Sequence, residues 1–149
     1  MLLHQNDHFI YDLRVAIKLP NNVFLDPSPD PCPVEGMVLY TEDFRTRIEL
    51  NFLVSSQDIK SYLEEATEGY ESVQYIAPLR NIETNGIEGV TMSYALSREN
   101  YEEYVFAIPG SKPSLLNVYF EQKKGYPSNE AEYARVRDEL IAGISLLAN

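Results

Sequence analysis

Tryptophan is absent from this chain of 149 residues, and cysteine occurs once, at Cys32. A single thiol closes no intramolecular disulfide, so packing and hydrogen bonds must hold the fold. Cations are scarce as well: 12 Lys and Arg stand against 23 Asp and Glu, a net charge of −11. Nucleic-acid binders take most of their affinity from basic side chains that neutralise phosphates, so this balance argues against a nucleic-acid partner and against an anionic membrane surface. It suits a basic partner or plain solubility. No run of about 18 apolar residues occurs, so no membrane insertion is expected. The opening residues, MLLHQND, lack a basic segment, an apolar core and a small-residue cleavage site. As written, the chain reads as cytoplasmic, or as exported if a leader has been removed.

The motifs of common chemistries are missing too. There is no G-x-S-x-G elbow, phosphate-binding glycine loop, H-E-x-x-H or paired-cysteine site. His4, Asp7 and His8 have the types and spacing of metal ligands, but they lie at a terminus that nothing tethers. Cys32 sits among prolines and acids, with no base or positive field beside it in sequence to make a thiolate. Tyr119 and Lys123 have the four-residue spacing of some oxidoreductases, without the glycine-rich turn that a dinucleotide needs. The reading is therefore of a non-enzymatic chain with no catalytic residue, no metal and no cofactor.

What is present is a globular composition, 44% hydrophobic and 23% charged. A chain of this length buries about 68–70% of its unfolded surface, enough for one core. Residues 1–8 are read as a flexible N-terminus and 9–149 as a single α+β domain. Within it, Pro27, Pro29, Pro31 and Pro33 fall at every second position of residues 25–36. Proline fixes φ and lacks the ladder donor, so this stretch predicts an extended surface loop.

Period-two alternation marks the strands. It runs over residues 9–19, as one long strand stopped by Pro20; weakly over 37–41; and over 45–54, with Ile48, Leu50, Phe52 and Val54 on one side. Asn85-Gly86 tolerates the positive φ of a type I′ turn, joining a strand near 79–84 to the next. There Val90, Met92, Tyr94 and Leu96 alternate with Thr91 and Ser93. Tyr104, Phe106 and Ile108 follow, then Leu116, Val118 and Phe120. Two helices are expected. One opens at Ser55 or Ser56, with Ile59, Tyr62, Leu63 and Ala66 on one face and Gly69 closing it. The other starts near Ser128 or Asn129, carries Tyr133, Val136, Leu140, Ile144 and Leu147 in one stripe, and contains Gly143.

Apolar sheet faces need a cover, and the two amphipathic helices supply it. The predicted fold is α+β: a twisted antiparallel sheet of about six or seven strands packed by two helices, a layered sandwich. Its opposite face is expected to be mixed, presenting Asn51, Thr91, Ser93, Glu103, Asn117 and Tyr119 as a protein-contact surface, with Tyr101 and Tyr126 also free for recognition.

The order of "VAIKLP", a strand pair, the helix "SSQDIKSYLEEATEGY", the hairpin "IETNGIEGVTMSYAL", two more strands and a last helix ending "ISLLAN" resembles the PsbP-like fold family over about residues 9–147. That group holds the photosystem extrinsic protein, a Ran-binding relative and many bacterial proteins of unknown function. The resemblance implies an antiparallel sheet flanked by helices and a role in binding another protein or aiding an assembly. It transfers no functional residue. Bacterial relatives are often exported or lipid-anchored, and this chain departs from them in showing neither a leader nor an acylatable first cysteine. The expected function is protein binding or assembly assistance. The alternatives are an acidic secretion-chaperone-like homodimer and, from another class, a small-ligand-binding protein or hydrolase.

Overall fold

The computed structural model describes residues 4–5, 9–11, 14–31, 33, 36–70, 72–110 and 113–147. In chain order the elements are β1 (His4–Gln5), β2 (Phe9–Tyr11), β3 (Val15–Lys18), β4 (Val23–Leu25), β5 (Gly36–Thr41), β6 (Thr46–Val54), α1 (Ile59–Glu68), β7 (Gln74–Thr84), β8 (Ile87–Ala95), β9 (Glu99–Ile108), β10 (Ser114–Lys123), α2 (Glu130–Ala142) and β11 (Ile144–Leu146). Seven strands form an antiparallel sheet in the order β4-β5-β6-β10-β9-β8-β7, and four short ones form a second in the order β1-β2-β3-β11.

Both faces of the large sheet are covered, so the fold is an α+β layered one. On one face Leu39, Ile48, Leu50, Phe52, Leu116, Val118, Phe120, Tyr104 and Phe106 pack beneath Val136 and Leu140 of α2, Val15 and Ile17 of β3 and Ile144 of β11. On the other, Val90, Met92, Tyr94, Val105 and Leu115 pack beneath Ile59 and Leu63 of α1. Burying each such aliphatic or aromatic side chain contributes about 1.5–3 kcal/mol, so the first, larger cluster makes the larger hydrophobic contribution.

The run over 9–19 is a hairpin and not one strand: Phe9 pairs with Lys18, Ile10 with Ile17 and Tyr11 with Ala16. Alternation survives a reversal of direction, because each arm keeps its own period of two, so the pattern could not reveal the turn. A second correction concerns β8. Val90, Met92 and Tyr94 face α1, whereas Tyr104, Phe106, Val118 and Phe120 face α2. With both faces buried, alternation separates two sides of a strand without saying which side matches its neighbour's.

One end of each helix falls at another residue than the spacing predicts. Asp58 caps α1, its carboxylate accepting from Ser61 N at 3.2 Å, while Ser55 caps a preceding turn through Gln57 N at 3.1 Å. Gly69 is the C-cap, Ile59, Leu63 and Thr67 are buried, and Ala66 is exposed. Asn129 caps α2 by accepting from Ala131 N and Glu132 N. That helix stops at Ala142, so Ile144 belongs to β11, and neither it nor Leu147 continues the helical stripe. Gly143 is the C-cap: Lys18 N donates to its carbonyl at 2.9 Å, and a Cβ there would lie 2.6 Å from Lys18 O.

Candidate functional site

A polar seam crosses the middle of the face that α1 covers in part. The registers set Tyr119 of β10 between Glu49 of β6 and Glu103 of β9, and Asn117 between Asn51 and Val105. Alternation on three neighbouring strands thus puts Glu49, Asn51, Glu103, Asn117 and Tyr119 on one surface. Tyr94 Oη donates to Glu103 Oε2 at 2.8 Å and Asn117 Nδ2 donates to Glu103 Oε1 at 2.9 Å. Asn51 Nδ2 donates to Glu49 Oε2 at 3.0 Å and to Asn117 Oδ1 at 3.3 Å, and Arg47 Nη2 donates to Glu49 Oε1 at 3.3 Å. A ladder of rings flanks the seam, Tyr70 to Tyr94 to Tyr101 to Tyr119, with centroid separations of 6.2, 5.2 and 6.1 Å.

Burial pushes the Glu103 carboxyl above its ordinary range, against the opposing pull of the Tyr94 and Asn117 donors, and the nearby Glu49 charge adds to the rise. Burial also pushes the hydroxyls of Tyr94, Tyr101 and Tyr119 up, aided by the carboxylates they meet. All three therefore stay protonated and act as donors. Glu103 and Asn117 are buried while Asn51 and Tyr119 are half-buried, so the middle of the seam is internal bracing.

The structure brings together four of the six residues expected to form that surface: Asn51, Glu103, Asn117 and Tyr119. Thr91 and Ser93 lie on the α2 side, opposite Tyr104 and Glu102 in the β9 register, and Thr91 Oγ1 is spent on Glu103 O at 2.9 Å. The one-residue phase of β8 separates them. His4 lies in β1, whose side chains are not described, and Asp7, His8 and Cys32 fall outside the described residues. Tyr119 and Lys123 share a strand, β10. Tyr101 is half-buried and gives its hydroxyl to Glu121 Oε1 at 2.8 Å, and Tyr126 is 56% exposed on the turn after β10.

Two clefts open at the margins of this face. One, of about 450 Å³, lies between α1 and the edge strand β7 and is lined by Tyr75, Ile76, Pro78, Leu79 and Met92, with Glu64, Thr67 and Glu68 along the helix. The β7–β8 register slips between Tyr75 and Ala77 and again before Arg80, and these bulges turn side chains outward. Ile76 is 58% and Tyr75 53% exposed, although Tyr75 Oη is tied to Thr67 Oγ1 at 3.2 Å. Sequence reasoning began this strand at 79 and so missed the groove. The available signal was the sequence QYIAPLR at 74–80, apolar residues whose alternation Pro78 interrupts. The other cleft, of about 350 Å³, is lined by Tyr40, Phe44, Arg45, Arg47, Glu121, Lys123 and Tyr126.

No protein-family model matches the sequence, and no curated protein matches it. Solved structures do share the fold. LpqN of Mycobacterium tuberculosis, involved in cell envelope biogenesis, superposes with a TM-score of 0.60 at 11% identity, over 90% of this chain and 83% of LpqN. A structure from Bacteroides thetaiotaomicron VPI-5482 gives 0.51 at 12% identity, over 91% of this chain and 46% of that longer one. At such identities the likeness is one of fold, and fold alone assigns no activity. No helix among the described residues is long and apolar enough to cross a membrane.

Proposed function

We propose that this chain is a non-enzymatic, PsbP-like protein-binding domain, and that the α1–β7 groove takes a segment of another protein in which apolar residues are flanked by Lys or Arg. The groove itself carries this reading: an apolar floor of Ile76, Pro78, Leu79 and Met92 beside the carboxylates of Glu64 and Glu68. Water covers that floor at a cost of roughly 25 cal/mol per Å², which a docking segment recovers. The acidic helix selects the segment's charge, as complementary potentials do at interfaces. A second copy of this chain suits the groove less well, since each copy carries a net charge of −11. Simple strand addition is also disfavoured, because Pro78 and the two bulges blunt the β7 edge. The fold shared with LpqN, an envelope-biogenesis protein, is in keeping with an accessory role.

Selection of a random peptide library on the immobilised protein tests the proposal. Enriched peptides are expected to combine apolar residues with Lys or Arg, and Ile76→Asp is expected to weaken them at least about tenfold, 1.4 kcal/mol. Enrichment that survives Ile76→Asp, or none at all, contradicts it.

A further inference from the structure

We propose that the second cleft, between the β5–β6 turn and the β10–α2 turn, is a binding site for a small aromatic carboxylate. This goes beyond the peptide groove and does not depend on it. Three cations, Arg45, Arg47 and Lys123, converge there against one carboxylate, Glu121, in a chain whose net charge is −11. Glu121 is already engaged, by the Tyr101 hydroxyl at 2.8 Å and by Arg47 Nη1 at 3.8 Å. Arg45 is held 3.9 Å over the Tyr126 ring, and its side chain makes one hydrogen bond among the described residues, Nη1 to Pro127 O at 3.4 Å. A guanidinium has five N–H donors, so most of its fork is left for an acceptor. Lys123 makes no ion pair among the described residues, whereas Arg47 is already held by Pro31 O at 2.8 Å, Glu49 Oε1 at 3.3 Å and Glu121 Oε2 at 3.8 Å.

The aromatic requirement comes from Phe44. Phe44 is 65% exposed, and its φ of 58° is a left-handed conformation that a bulky side chain rarely adopts. The turn is held in that state by Asp43 Oδ1, which accepts from Thr41 Oγ1 at 2.6 Å, Arg45 N at 2.9 Å and Ser128 Oγ at 3.0 Å. Ser128 Oγ also lies 2.6 Å from Thr46 Oγ1, so the two turns that form the cleft are stapled together. Phe24 stacks on Phe44 at 5.8 Å and Tyr40 lies at 6.2 Å. Strain that the surroundings over-determine is a mark of functional positions. Here it holds a ring beside Arg45 and Lys123, neither of which makes an ion pair among the described residues, and ring beside cation is the pairing that a flat acid needs.

Amide NMR titration of the ¹⁵N-labelled protein with benzoate, benzamide, acetate and inorganic phosphate provides the test. Benzoate is expected to shift the Phe44, Arg45 and Tyr126 amides with a Kd on the order of millimolar, as suits so small a ligand. Benzamide and acetate should bind at least about tenfold more weakly. Arg45→Gln and Lys123→Gln, the latter an exposed change that leaves the fold alone, should each lower benzoate affinity, and Glu121→Gln should raise it. Equal binding of benzamide overturns the proposed charge reading. Equal binding of acetate or phosphate overturns the aromatic one. Benzoate that leaves these amides unmoved, or binds both cation variants unchanged, overturns the site.

Discussion

At the scale of single residues, Glu103 is the most informative side chain. It is a carboxyl buried at the centre of the large sheet, facing two neutral donors, Tyr94 and Asn117, with no cation bonded to it among the described residues. Its proton affinity is raised in the folded state from an ordinary value near 4.5. The sign of the linkage follows: the folded state holds the proton more tightly, so this contribution to stability is full below about pH 4.5 and is lost as pH rises through the folded value. Glu103→Gln removes the titration while keeping an acceptor for Asn117. Urea unfolding is therefore expected to show wild type losing stability relative to Glu103→Gln between pH 4 and 8, and parallel curves contradict this. Asn117→Ala deletes donors to Glu103 and Tyr104 O. It is expected to cost about 1.5–3 kcal/mol, read as a lower urea midpoint. The presence of Glu103 of β9 and Asn117 of β10 on one sheet face was legible from alternation. Their burial was not, because the tyrosines and α1 that enclose them arrive from elsewhere in the chain.

At the scale of elements, the turn at Asn85-Gly86 was the readily legible feature, whereas the opening of α1 and the end of α2 were not. Asn85 and Gly86 adopt φ of 49° and 78°, as the turn from β7 to β8 demands. Less visible was a second task for Asn85, whose Nδ2 donates to Ala142 O at 2.9 Å and Ile144 O at 2.6 Å and so pins the hairpin to the end of α2. That contact spans more than fifty positions, and no local pattern encodes it. The end of α2 illustrates the same limit. Helical spacing continues through Ile144 and Leu147, yet Gly143 stops the helix, because its carbonyl and bare Cα are needed against Lys18 of β3. Gly143→Ala is expected to destabilise the protein by about 1–3 kcal/mol through overpacking, with an unchanged urea slope. A neutral or stabilising result, as for an ordinary helical glycine, would show that the junction with β3 yields.

At the scale of the whole molecule, three layers bury both sides of the central sheet. This is why the middle of the face expected to make contacts, at Glu103 and Asn117, is buried, and why the clefts lie at its margins. The α+β class and the antiparallel meander were readable because strands of nine to eleven residues repeat their period many times over. The clefts were not, since each is built where regularity fails, at the bulges of β7 or at the strained turn around Phe44. The proposed function places recognition at one margin, through apolar contact and acidic charge together. Reversing that charge with Glu64→Lys and Glu68→Lys, while leaving the floor intact, addresses the assignment most directly. Anisotropy titrations of one apolar peptide flanked by lysines and its counterpart flanked by glutamates give the readout. The wild type is predicted to prefer the lysine peptide and the double variant the glutamate peptide, each preference fading as salt rises. An unchanged preference in the double variant would contradict the assignment of the groove.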